Sequence, residues 1–375
     1  EGLIRISDGT ATFGNSSGNS VNTQVDGAFV VSGGNVNIAG RLYNSAAGTL
    51  ALGIPSGITI TNGTVILATA GNGLSNVGSL NVTSAGRFDF TGGTIVFQNP
   101  STATTELDLG LISGGGAKNT VGGTFQFGNA STPAGSVFNI SSNIVLDKIA
   151  SSANADLQLN ADVVVNNLSA LNAATTFNLN GNSLRLAASS LKTYNFPIDN
   201  GSGVSIPVTI NLTNGTFGAN PYIEIETFTT KHPENKSTTN YLNRYWKVTT
   251  SGITNPVYDV TATYADADIA GAEAGIAYGS WTAFPWVKGN AANAAANTIS
   301  ATGITSNGFD FTGITLAPPT VTIIATSAAN CIGASTTLTT NPVGDPTFTY
   351  VWTSNPAGTN STSLDRKSTR LNSSH

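Results

Sequence analysis

The sequence predicts an all-β protein, and three of its features lead there. Short segments place apolar side chains at alternate positions. Clusters of Gly, Asn and Ser separate those segments, and the spacing between them, about 6 to 10 residues, leaves no room for helices.

Composition supports a folded chain of that kind. Only 9% of the 375 residues are charged, against about 25% in ordinary globular domains, while 39% are hydrophobic. Disorder goes with low hydrophobicity and high net charge, and neither holds here. The polar load falls on Asn, Ser and Thr, whose amides and hydroxyls solvate a β-rich surface. A formal net charge of −5 and a pI near 4.9 argue against a nucleic acid or an anionic lipid surface as partner. No run of about 18 apolar residues is present, so no membrane insertion is expected within this segment. The chain opens on Glu1 and contains no Met, so an upstream start is expected and the lack of a signal peptide says nothing of compartment. The single cysteine, Cys331, allows neither an internal disulfide nor a thiolate metal cluster.

Over residues 1–186 the alternation is densest. Gly86–Phe90, Gly93–Phe97, Gly123–Phe127 and Thr176–Asn180 present Phe88 with Phe90, Ile95 with Phe97, Phe125 with Phe127 and Phe177 with Leu179 on one face each. Gly92-Gly-Thr-Ile-Val-Phe-Gln-Asn99 and Gly122-Gly-Thr-Phe-Gln-Phe-Gly-Asn129 share a frame thirty residues apart. Short strands, tight turns and a loose repeat predict a β-solenoid, parallel-β-helix-like, in which each coil stacks on the next and Gly or Asn corners supply positive φ. A large sandwich or barrel carries the same alternation and stays open as the alternative.

Over residues 187–317 the segments lengthen and gain aromatics: Val204–Leu212, Tyr222–Glu226, Asn243–Val248 and Tyr258–Tyr264. They predict an antiparallel β-sandwich ending near Gly313–Leu316, with the Ala/Asn stretch Asn290–Asn297 as a loop. Pro318-Pro319 marks a linker. Thr320–Ile324, Ser335–Thr339 and Thr347–Trp352 then read as the front half of an immunoglobulin-like module over residues 318–364, too incomplete to close a core. Residues 365–375 break sharply in composition and read as the in-frame translation of a sequencing-library adapter, so they are expected to take no part in the fold.

Four segments in this order, Asn243-Arg-Tyr-Trp246, Tyr258–Tyr264, Asp266-Ala-Asp268 and Thr302–Phe311, resemble a β-domain of large exported surface proteins of the Bacteroidota, the group that uses type IX secretion. Cys331–Ser335 and Tyr350–Ser354 are similar to the polycystic-kidney-disease (PKD)/immunoglobulin-like repeats that follow in such proteins. The likeness covers about residues 190–364, and the first half resembles adhesin-type β-helices in texture only. The resemblance implies secretion to the outer cell surface, attachment by a C-terminal sorting domain outside this segment, and adhesive or structural use. It also implies a lost partner for Cys331, in keeping with an oxidising extracellular compartment.

Candidate chemistry is sparse. A hydrolase or lyase on a β-helix needs clustered carboxylates, yet Asp89, Glu106, Asp108, Asp147, Asp156 and Asp162 are scattered. Glu106 and Asp108 form the best pair, two apart in one segment, and read as an exposed strand face. His232, in the charged segment Lys231–Lys236, reads as part of a solvated turn, and no Gly-x-Ser-x-Gly elbow supports a triad through it. No His/Cys spacing suits zinc, and Gly114–Gly116 lacks the strand-to-helix context and lysine of a phosphate loop. Asp266, Asp268 and Glu273 are oxygen ligands of the kind Ca2+ takes, without the full loop pattern. Trp246 alternates with apolar neighbours and reads as core. Trp281 and Trp286, flanking Phe284-Pro285, are the candidate sugar-stacking residues. No catalytic residue and no cofactor is assigned. The expectation is a non-enzymatic, secreted cell-surface stalk and adhesive surface, with glycans or other matrix polymers as partners. A carbohydrate-binding accessory region of a larger extracellular enzyme is the alternative, and a β-helix polysaccharide lyase or hydrolase the second.

Overall fold

The computed structural model describes residues 2–51, 53–71, 78–101, 107–282, 286–316, 320–325, 335–343 and 365–369. Pro318-Pro319, expected as a linker, Cys331, Thr347–Trp352, expected as a strand, Phe284-Pro285 and Glu106 lie outside them. Among the described residues the regular structure is β throughout, apart from two single 3-10 turns at Asp266–Asp268 and Glu273–Gly275. The chain divides into two compact units. One comprises Glu1–Thr227, Lys247–Thr263 and Thr302–Gly308; the other comprises Phe228–Trp246, Tyr264–Ala301 and Phe309–His375.

In the first unit, successive strands enter three parallel ladders in rotation as far as Ser136–Ser142, and from Leu146 on they alternate between the second and third of these. The first ladder takes Gly2–Ile6, the leading halves of Gly27–Ile38 and Gly57–Leu67, then Phe88–Phe90 and Lys118–Asn119. The second takes Thr10–Phe13, the trailing halves of the same two long strands, then Thr94–Phe97, Thr124–Phe127, Leu146–Ser151, Val163–Ala170 and Leu184–Ala187. The third runs Ser20–Thr23, Arg41–Asn44, Leu80–Val82, Leu109–Leu111, Ser136–Ser142, Ala155–Leu159 and Phe177–Asn178. Parallel neighbours need a crossover, usually helical. Here the strands of the other two ladders make it. The two Gly-Gly-Thr frames fall in register, with Thr94 opposite Thr124 and Phe97 opposite Phe127.

Alternation explains why these segments pair. Phe88 and Phe90 are buried with Asp89 between them on the outer face. Phe97 stacks flat on Phe127, ring centroids 4.7 Å apart, and Phe127 meets Phe138 of the third ladder at 5.6 Å. The corners are as constrained as the core. Gly34, Gly63 and Gly93 have φ of 72°, 85° and 81° and lie one above another. A Cβ on Gly93 would sit 2.4 Å from the carbonyl oxygen of Gly63, and one on Gly63 would sit 2.6 Å from that of Gly34. Only glycine fits such a column.

The parallel succession ends where Leu184–Ala187 meets Val208–Phe228 antiparallel; that strand also pairs with Thr193–Phe196. Val204–Leu212 and Tyr222–Glu226, expected as two strands, are one 21-residue strand. Tyr245–Thr263, 19 residues, likewise runs on where a break was expected. Asn220, Gly252 and Asn255 do adopt positive φ, of 46°, 67° and 49°, but as kinks within paired strands rather than as turns. Cross-links hold the two strands together, including Thr213 Oγ1 to Val257 O and Lys247 to Glu226.

In the second unit Ile276–Trp281 lies antiparallel between Asp310–Thr315 and Val287–Ala291. Trp246 is fully buried, as its alternation predicts, and stacks on Phe311 at 5.3 Å; Phe311 stacks in turn on Tyr278. The stretch expected as a loop is shorter than read: Asn290 and Ala291 are strand, and an Asn293–Thr298 bridge closes a tight turn. Thr320–Ala325 and Ser335–Val343 pair antiparallel, and Asp365–Thr369 adds a third strand. Asp365–Thr369, within the stretch read as an adapter translation, pairs in this way because ladder bonding uses backbone groups that any extended segment supplies.

Candidate functional site

The second unit gathers the aromatic residues singled out in the sequence around His232. That residue is not on a solvated turn: it is 4% exposed. Its ring packs edge-on against Tyr245 at 4.8 Å and Trp286 at 4.9 Å, and lies tilted to Trp281 at 6.2 Å. Nδ1 accepts the Glu234 N–H at 3.1 Å, and Nε2 lies 3.1 Å from Asp310 Oδ2. A nitrogen that accepts an N–H carries no proton, so the hydrogen sits on Nε2 and is donated to Asp310. Nothing local in the charged stretch signals this, since Asp310 lies 78 residues away.

Trp286 departs from the reading as a freely presented ring. It is 4% exposed, and its indole N–H donates to Glu234 O at 3.1 Å. Trp281, 5.3 Å from it, keeps a partly exposed ring. Phe228 and Tyr245, both partly exposed, stack in parallel at 4.4 Å. The Lys231 ammonium lies 4.3 Å over Tyr241, and burial, helped by nearby Lys236, lowers its pKa from the ordinary lysine value. The patch suits stacking on a ligand face; its one imidazole is enclosed by rings and already bonded at both nitrogens.

The proposed calcium ligands turn to separate protein donors. Asp268 Oδ2 accepts Arg244 Nε at 2.8 Å and the Ala265 N–H at 3.1 Å, in a pair that is nearly fully buried. Asp266 accepts Asn297 Nδ2, and Glu273 accepts the Tyr264 hydroxyl at 2.6 Å. Burial foremost, then Glu273, pushes that phenol upward. Among the described residues no three His, Cys, Asp or Glu converge as a metal site. The Arg244–Asp268 pair joins Asn243–Trp246 to Asp266–Asp268.

In the first unit Asp108 is fully buried, a correction to its reading as an exposed strand face. It sits at the entrance to Leu109–Leu111, where Oδ1 accepts the Ser101 N–H at 2.7 Å and Oδ2 the Asn139 N–H at 2.8 Å. The remaining carboxylates also bond to the next pass of chain: Asp89 to Asn119, Asp147 to Asn166, Asp156 to Thr176 and Asp162 to Ser183. They cross-link neighbouring segments of the parallel ladders rather than face one another as a dyad.

A cleft of about 770 Å³ opens beside the third ladder, between the turn at Asn99–Ser101 and Pro133–Val137. An amide column borders it: Gln158 Nε2 donates to Asn139 Oδ1 at 3.0 Å, and Asn178 Nδ2 to Gln158 Oε1 at 3.4 Å. A smaller cleft of about 430 Å³ lies beside Lys192 and Tyr194, whose ammonium and ring are 5.0 Å apart. Compared with protein-family models, curated proteins and solved structures, the chain finds no match in any of the three.

Proposed function

We propose that this chain is a non-enzymatic structural and adhesive segment of an exported cell-surface protein, with residues 1–186 forming a β-solenoid stalk. An antiparallel sandwich and an immunoglobulin-like module follow it in this reading. The observation that supports it is the succession of strands through parallel ladders, three as far as Ser136–Ser142 and two beyond, with an aromatic stack inside and carboxylates and amides tied between neighbouring strands outside. Backbone bonds that run from coil to coil resist shear along the stack, which suits a spacer. The amide- and hydroxyl-rich exterior suits many weak contacts with glycans or other neutral surfaces.

The test is retention of the full chain on immobilised polysaccharides, with product release assayed in parallel. Retention without new reducing ends or unsaturated products is the expected result. Turnover would put the lyase or hydrolase reading in its place, and a lack of retention on every surface would reject adhesion. The carbohydrate-binding accessory reading is favoured by a separate observation, the partly exposed rings of Phe228, Tyr245 and Trp281. It predicts that Trp281→Ala lowers retention at least several-fold while the thermal melt stays as in wild type.

A further inference from the structure

We infer that the 770 Å³ cleft of the first unit binds an uncharged polysaccharide chain, which gives the adhesive role a location and a ligand class and rests on that reading. The polar side chains among its described lining residues are amides and hydroxyls, and none of those residues is ionisable. Sugar hydroxyls both donate and accept, and an amide meets either need without the desolvation cost of a charge. Gln158 gives one Nε2 hydrogen to Asn139 Oδ1 and receives Asn178 on Oε1, so its side chain is fixed while its second Nε2 hydrogen has no acceptor among the described residues. Asn139, only 6% exposed, uses Oδ1 on Gln158, and its Nδ2 has no acceptor among the described residues.

The apolar part of the lining fits the same ligand. Pro100, Pro133 and Val137, the last 43% exposed, offer hydrocarbon surface to the C–H face of a pyranose ring. Beneath them the Asp108 carboxylate ties Ser101 on one wall to Asn139 on the other, so the walls are held apart before any ligand arrives. A polyuronate or a nucleic acid would bring repeated negative charge to a cleft with no described cation, on a chain of net charge −5. The chemistry therefore selects a neutral chain.

The experiment is calorimetric titration of the full chain with hexaoses of glucose, mannose, xylose and galactose, and with hexagalacturonate as the charged counterpart. At least one neutral hexaose is expected to bind, and hexagalacturonate to bind at least tenfold more weakly. Val137→Trp fills the cleft from a solvent-facing position and should weaken binding more than tenfold. Val121→Trp, at a 66% exposed position outside the cleft lining, should leave it unchanged. If V137W loses the native melt, Val137→Lys, whose longer chain covers the same opening, carries the same expectation. Wild-type affinity in a folded cleft variant, preference for the uronate, or no neutral binding overturns the inference. If these occur while the chain still adheres to polysaccharide surfaces, the cleft is rejected and the adhesive reading stands; if adhesion fails too, both fall.

Discussion

His232 is held by ring edges on two sides, a backbone N–H at one nitrogen and a carboxylate at the other. Its removal leaves a hole among aromatics together with an unpaired N–H and carboxylate. His232→Ala is expected to destabilise the second unit by about 3–5 kcal/mol, read as a lower urea midpoint by tryptophan fluorescence, and His232→Phe to recover part of that. Asp268 poses a harsher case because its partner Arg244 is 2% exposed. Asp268→Ala takes the carboxylate away from a buried guanidinium and should cost about 3–5 kcal/mol in the same assay. Neither environment was legible locally. Lys231–Lys236 reads as solvent-exposed because its charges are counted, whereas burial of His232 is decided by Tyr245, Trp286 and Asp310, which arrive from other strands.

Among the elements, the short strands of the first half were legible because a period of two survives in three or four residues. Phe88–Phe90, Thr94–Phe97 and Thr124–Phe127 lie where the alternation puts them. The thirty-residue echo is a register: Phe97 faces Phe127 because both frames place Phe at the same step from Gly-Gly. Phe127→Ala should therefore destabilise by about 3–5 kcal/mol, and Phe127→Leu by much less, in thermal melts followed by far-UV circular dichroism. Gly93→Ala tests the corner column. A left-handed backbone alone costs roughly 1–2 kcal/mol for a non-glycine residue, and a Cβ 2.4 Å from the Gly63 oxygen adds to it. The long strands were not legible: Asn220, Gly252 and Asn255 carry turn chemistry, and only pairing across the sheet turns them into kinks.

At the scale of the whole molecule, alkaline pH separates folded from unfolded tyrosine. Burial raises the Tyr278 phenol above the ordinary tyrosine value of about 10, so the folded chain keeps it neutral while the unfolded chain ionises. Its contribution is intact below that value and is lost as pH rises above it, so the urea midpoint should fall from pH 8 to 11 less steeply in Tyr278→Phe than in wild type. Mechanical stretching addresses the proposed stalk. Passes of about 20–30 residues peeling singly would lengthen the chain in steps of roughly 70–105 Å, at about 3.5 Å per residue. One large release over the first half would speak for a sandwich. The sequence by itself determined the all-β class, the inward faces of the short strands and the glycine corners, because each depends on neighbours one or two residues apart. Only the tertiary structure decided the enclosure of His232, the burial of Trp286 and Asp108, and the amide column beside the cleft. Each of those is set by groups roughly 20 to 80 residues away, whose approach depends on which strands stack and in what register.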